Sequence, residues 1–195
     1  MRASSFLCSS NTVLSVIRHF FDSYVALYPD EYFPMLAKQL QNSEEDIVSR
    51  KNFTGHVVAD GCVIDPKNKK ILLIYHATHN HWQNPGGHVE LEDAHPADTA
   101  RREVLEETGV KAHLVFDDER EPLLLHIDSH IIPLSAKKQE PEHWHHAMTF
   151  LFLADSTLPL PDTQDDGIAS VRWVDIEEAL QYERIRTMLS KIQLF

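Results

Sequence analysis

The chain has 195 residues, 18 of them Lys or Arg and 30 Asp or Glu, for a formal net charge of −12. Its 43% hydrophobic and 25% charged residues are those of a folded globular chain and exclude a disordered or low-complexity one. The negative balance, with no basic patch to offset it, disfavours a general binder of nucleic acid or of anionic membrane surfaces.

Two cysteines, Cys8 and Cys62, cannot build a disulfide framework, and the start MRASSFLCSS lacks the apolar stretch of a secretory signal. The expected compartment is the cytoplasm. The longest apolar runs are strand-sized, such as ILLIY, far short of the roughly 20 residues that span a bilayer, so no membrane partner is expected.

In chain order, Asn11 can cap an amphipathic helix with apolar residues Val13, Val16, Ile17, Phe20, Phe21, Tyr24 and Leu27, which Pro29 stops. A second helix begins near Pro34 and carries Met35, Leu36 and Leu40. Residues 1–50 therefore read as a helical extension that caps the rest of the molecule or forms a homodimer interface, and 51–195 as the main domain. From Lys51 the pattern changes to β-like runs: HVVADGCVI, a turn at DPKNKK, then ILLIYHA. After a Pro-Gly-Gly turn a helix runs from about Pro96 to Thr108. Strands at VKAHLVF, PLLLHIDSHII, HHAMTFLFLA and VRWV follow, with one C-terminal helix last. That order gives an α/β class of the α+β kind, a mixed sheet sandwiched between helices.

The helix after the glycines carries the chemistry. Glu103, Glu106 and Glu107 stand at i, i+3 and i+4 and share one face, while Ala97, Ala100, Val104 and Leu105 form an apolar stripe beside them. No cation is expected on the glutamate face. Like charges at this spacing cost a helix a few tenths of a kcal/mol. Three together invite a hard divalent ion, which takes carboxylate oxygens and leaves positions for phosphate. Taken alone, such a face is more often simply solvated. Three of the six glycines, Gly86, Gly87 and Gly109, flank this helix, and bare backbone at the first two can approach a ligand closely.

The segment PGGHVELEDAHPADTARREVLEETGV resembles the Nudix box, G-x5-E-x7-R-E-U-x-E-E-x-G-U. Gly87, Arg102, Glu103, Val104, Glu106, Glu107, Gly109 and Val110 match it in order. Five identities in the Arg-Glu-x-x-Glu-Glu-x-Gly core, at average frequencies of about 6% each, arise by chance about once in 10⁶ starting points. Two departures stand out. The first acid is Asp93 rather than Glu, and eight residues rather than seven separate it from Arg102. The acid that holds the box arginine is then Asp93, Glu92 or Glu90.

The resemblance covers roughly Lys51 to Val174 and implies an α/β/α sandwich with a mixed sheet. It implies that Glu103, Glu106, Glu107 and the Gly86 carbonyl bind Mg²⁺ or Mn²⁺, and that Arg102 orients the catalytic glutamates. The reaction it implies is attack of water on the pyrophosphate of a nucleoside diphosphate linked to another group, with ADP-ribose, a nucleotide sugar or a nucleoside triphosphate as examples. Glu106 or Glu107 is the first choice of general base; some family members place that base on a later loop, where Glu140, Glu142, Asp165 and Asp166 are candidates. Other classes on this fold are a regulatory nucleotide-sensing module, which usually loses box glutamates, and an isoprenoid diphosphate isomerase, which would need a cysteine that Cys62 is poorly placed to supply. Messenger-RNA decapping is disfavoured by the charge.

Thirteen histidines are many for this length. His126, Asp128 and His130 alternate onto one strand face, as do His143 and His145 on another. If those strands are neighbours, they line the substrate cleft or hold an additional transition metal, for which imidazole is suited. Gly87 and His88 are candidates to meet a phosphate and Trp82 to stack on a base, although a tryptophan beside a turn is as often packing. Trp173 reads as core.

Overall fold

The computed structural model describes residues 10–42, 46–77, 80–90, 92–136, 139–160 and 168–192. Two helices open the chain, α1 (Ser10–Leu27) and α2 (Pro34–Gln41). Asn11 lies within the first turn of α1 rather than at its cap. Strands β1 (Gly55–Asp65), β2 (Lys70–His76), β3 (His81–Gln83) and β4 (Gly86–His88) precede α3 (Pro96–Thr108). Then come β5 (His113–Leu114), β6 (Leu124–Ile132), β7 (His143–Leu153), β8 (Ile168–Asp175), α4 (Ile176–Ala179) and α5 (Glu183–Leu189).

The strands form one mixed sheet with the central path β3-β2-β1-β7-β5. β1 pairs parallel with β7 from Gly55 and Trp144 to Ile64 and Leu153, and antiparallel with β2 and β4 on its other edge. β6 runs antiparallel to β7, and β8 to β2. β1 and β7 are central and buried on both faces, so they read as near-continuous apolar runs.

Alternation along β1 separates two cores. Val57, Ala59 and Val63 point into one core with Ile17, Phe20 and Tyr24 of α1, Leu36 and Leu40 of α2, and Ala97, Ala100 and Val104 of α3. Cys62 and Ile64 point into the other, with Ala179, Ile185, Met188 and Leu189 beyond β8. The N-terminal helices thus cover the same sheet face as α3, and the apolar stripe of α1 is spent inside the chain. No described helix is long and apolar enough to cross a membrane.

Three elements differ from the expectation. The Pro-Gly-Gly segment bends at Pro85, but Gly86 and Gly87 are strand residues, because β1 continues past the end of β2 and leaves Val58–Asp60 to pair with β4. The expected strand at VKAHLVF keeps regular pairing only at His113–Leu114, since β6 takes up most of the same edge of β7. The C-terminal helix is broken at 180–182, which lets Ala179 and the Ile185, Met188, Leu189 stripe bury against one core.

Candidate active site

Helix α3 starts and stops where its sequence dictates. Pro96 occupies the first turn, His95 caps it by accepting the Ala97 amide on Nδ1 at 2.9 Å, and Gly109 ends it in the left-handed conformation at φ 67°. With Ala97, Ala100 and Val104 buried against the sheet, the spacing turns Glu103 and Glu107 toward β4. Glu107 is buried and its Oε2 accepts the Gly86 amide at 2.8 Å. A Cβ at Gly87 would stand 2.4 Å from Glu103 Oε1, so any side chain there must displace this carboxylate. Glu106 points outward and is 55% exposed.

Contrary to the expectation of a face without cations, the Arg102 guanidinium lies among these carboxylates. It donates to Glu103 Oε1 at 2.8 Å and to Glu106 Oε2 at 3.1 Å. It also donates to the His88 carbonyl at 2.9 Å and, through Nε and Nη2, to both oxygens of Asp93 at 3.4 and 2.9 Å. Of the three acids open as its partner, Asp93 is the buried one at 7% exposure, Glu90 comes no nearer than 3.9 Å, and Glu92 is exposed. Burial alone would raise the Asp93 carboxyl. Hydrogen bonds from Arg102, the Glu90 amide and Thr99 outweigh burial and hold it below the usual carboxylate range. The Glu103 carboxyl is pushed up, by burial first, against the pull of Arg102.

Three carboxylates gathered beside the bare Gly86–Gly87 backbone make a hard oxygen donor set. A carboxylate packed on the bare Gly87 backbone, and a half-buried Glu103 whose ionisation burial opposes, both suit a divalent cation.

The histidines sort differently from their pattern. β6 and β7 are neighbours, with His130 opposite His145. His126 is drawn aside, its Nδ1 2.8 Å from Lys191 Nζ and 3.1 Å from Tyr24 Oη. Asp128 is held at 2.6 Å by Arg184 and at 3.0 Å by His130 Nδ1. Burial opposes but does not prevent its fall to about 2. His143 and His145 converge instead with His56 at the start of β1, a residue that no local pattern marks. His88 joins their edge, its ring 5.1 Å from that of His56 and 5.3 Å from that of His145. Burial lowers both His56 and His145.

Trp82 sits opposite Tyr75 and carries the Arg172 guanidinium 4.2 Å from its ring centroid. Glu140 pairs with Arg50 at 3.4 Å, Glu142 is exposed, and Asp165 and Asp166 lie outside the described residues. Cys62 is fully buried and burial pushes its thiol up, the opposite of an activated cysteine. A partly buried carboxylate missed in the sequence is Asp60, which accepts Asn84 Nδ2 at 3.1 Å beside Gly86.

A family model described as the NUDIX domain matches residues 55–192. Among curated proteins the chain is similar to the m7GpppN-mRNA hydrolase NUDT17 of Danio rerio, 31% identical over 153 residues. The match covers 72% of this chain and 49% of that protein, so the chain spans about half the length of the relative. Among solved structures it is similar to a NUDIX-family hydrolase from Clostridium perfringens, with TM-score 0.48 and 16% identity over 71% of this chain and 95% of that one. The NUDIX domain of Shewanella oneidensis NrtR complexed with ADP ribose gives TM-score 0.49 and 16% identity over 80% and 94%. A C. elegans Ap4A hydrolase binary complex gives 0.47 and 16% over 69% and 93%.

Proposed function

The chain belongs to the NUDIX domain family, and from that premise we propose that it is a divalent-metal-dependent pyrophosphohydrolase of a nucleoside diphosphate linked to another group. The observation that carries this reading is the Arg102 clamp: one guanidinium, fixed by Asp93 and the His88 carbonyl, holds Glu103 and Glu106 beside the Gly86–Gly87 strand to which Glu107 is tied. A regulatory module would have little use for three intact carboxylates so arranged.

Glu103, Glu106 and Glu107 are the residues that would hold Mg²⁺ or Mn²⁺, and the bare backbone of Gly87 lets the Glu103 carboxylate pack against β4. Such an ion offsets the charge of the diphosphate and acidifies water. Arg102 keeps the carboxylates oriented, and Glu106 or Glu107 accepts the proton of the attacking water. Glu106 is the more accessible of the two, whereas Glu107 is buried and holds the Gly86 amide. The His88, His130, His143 and His145 imidazoles gather across β4 from the glutamates, and in this reading the more open His88 and His130 would meet the outer part of the substrate, whereas Trp82 is engaged by Arg172 and Tyr75.

The substrate class is a small nucleotide derivative, since a charge of −12 works against a long polyanion. The test is phosphate or nucleotide release with Mg²⁺ and Mn²⁺ over ADP-ribose, nucleotide sugars, nucleoside triphosphates, dinucleoside polyphosphates, the m7GpppN dinucleotide and capped RNA, with Glu107→Gln as the control. Turnover of a small compound above the variant's rate supports the reading. Turnover of capped RNA alone replaces the substrate class, and turnover of nothing leaves the nucleotide-sensing module.

A further inference from the structure

Consecutive residues of β4 face opposite ways, Gly87 toward Glu103 and His88 toward His56 and His145. On the His88 side, His56, His143 and His145 each bring a ring nitrogen to within 4.8 Å of the other two. The parallel register of β1 and β7 produces this, because it sets His56 beside His145, while His143 stands two residues back on β7 and faces the same way.

The hydrogen bonds decide which nitrogens are available. His56 Nδ1 lies 3.1 Å from the Asn52 carbonyl and His143 Nδ1 2.7 Å from the Pro141 carbonyl. A carbonyl only accepts, so both Nδ1 atoms carry a proton, and the neutral rings then hold their lone pairs on Nε2. His56 is 1% exposed, and its Nε2 has no hydrogen-bond partner among the described residues. His143 Nε2 faces His145 Nε2 at 3.3 Å. A proton on His145 Nε2 would satisfy that contact, yet it would leave the buried His56 lone pair unanswered. One cation answers all three.

The geometry points to a binding site for a transition-metal dication of the Zn²⁺ class at His56, His143 and His145, separate from the carboxylate site on α3. Three neutral imidazoles are a donor set for such ions rather than for Mg²⁺. Ligating histidines characteristically donate their other N–H to a carbonyl, as His56 and His143 do. A tetrahedral ion with Zn–N distances of about 2.0–2.1 Å spaces its nitrogens by roughly 3.4 Å, which the His143–His145 pair already meets. Three protein nitrogens leave a fourth position open, the coordination of a site that takes a water or a phosphate oxygen.

The test needs no substrate and so stands apart from the hydrolysis reading. Full-length protein without a polyhistidine tag is stripped with chelator and titrated with Zn²⁺ and with Co²⁺. The expected result is one equivalent of Zn²⁺ per chain that excess Mg²⁺ does not displace, and a visible Co²⁺ spectrum of the intense four- or five-coordinate kind. His143→Ala and His145→Ala should each weaken Zn²⁺ binding by more than the roughly 10–100-fold that loss of an outer-shell partner costs, while Glu107→Gln keeps full affinity. Circular dichroism and melting of the stripped variants check their folding, and the wild-type Co²⁺ spectrum stands without them. Substoichiometric binding by the wild type, displacement by Mg²⁺, a weak six-coordinate Co²⁺ spectrum, or loss of the site in Glu107→Gln would each overturn the assignment.

Discussion

Asp93 Oδ2 lies 2.9 Å from Arg102 Nη2, across eight intervening residues, and the pair sits between the loop after β4 and the glutamate face of α3. The shorter acid and the longer loop compensate each other, so the arginine that touches Glu103 and Glu106 is still held from behind.

Asp93→Asn should therefore lower both stability and activity. Breaking a fully buried pair costs roughly 3–5 kcal/mol; with Arg102 still 21% exposed, about 2–3 kcal/mol is expected by urea unfolding at pH 7. The Asp93 carboxyl is held below its ordinary 3.8, so its contribution is complete above that value and is lost as pH falls through the lower folded value. The difference between wild type and Asp93→Asn should shrink in acid. An equal difference at pH 7 and pH 3 would contradict this.

Gly87→Ala separates placement from folding. Its Cβ would fall 2.4 Å from Glu103 Oε1, and the carboxylate must swing away. A displacement of about 1 Å at a reacting centre can cost about a hundredfold in rate. That drop in kcat is expected with a small change in melting temperature, and full activity in the variant would refute that displacement.

Glu107→Gln should reduce turnover at least about a hundredfold, the usual worth of a proton acceptor or of a group positioning one. Running Glu106→Gln beside it assigns the base: the variant whose pH–rate profile loses its acidic limb identifies the proton acceptor, and the other should keep that limb at a lower plateau.

His126 carries a pH dependence of stability. Burial first, and then the Lys191 ammonium, lower it to about 4, against the opposing charges of Glu31 and Asp128; Arg184 adds to the lowering. The folded state thus binds fewer protons than the unfolded one between pH 6.5 and about 4. Stability is fully present above pH 6.5 and falls as pH drops through that window, by about 3 kcal/mol at most. In His126→Gln the fall should be shallower by about that amount, measured by urea midpoint at pH 8, 6 and 4.5. An unchanged slope would show that His126 does not titrate with unfolding.

Lys191, 6% exposed, donates to Glu31 at 2.6 Å and to His126 and Tyr24, and it lies over the Tyr24 and Tyr28 rings. It ties the end of the chain's last described helix to the first. Lys191→Met should destabilise by about 1–3 kcal/mol, the cost of leaving the Glu31 carboxylate unpaired and partly buried. Proteolysis should then release the N-terminal helices before the sheet opens.

Local signals carried far in this chain. Helix α3 runs from Pro96 to Thr108 as its proline, apolar stripe and Gly109 require, and the box residues name the glutamates by spacing alone, because i, i+3 and i+4 on a helix is a short-range geometry. Strand identity along β1, β2, β6 and β7 follows from apolar periodicity for the same reason. What no local pattern contains is which distant segment lies alongside. The choice of Asp93 over Glu90 and Glu92 depended on which acid the loop buries. The partner of His145 is His56, some ninety residues earlier, because β1 and β7 pair in parallel. His126, in step with Asp128 and His130, is diverted by Lys191 and Tyr24 from the two ends of the chain. The sequence by itself determined the helix that bears the carboxylates and the family it belongs to. Only the tertiary structure decided which charges and imidazoles meet, since those contacts are made by strand register and loop burial across long stretches of chain.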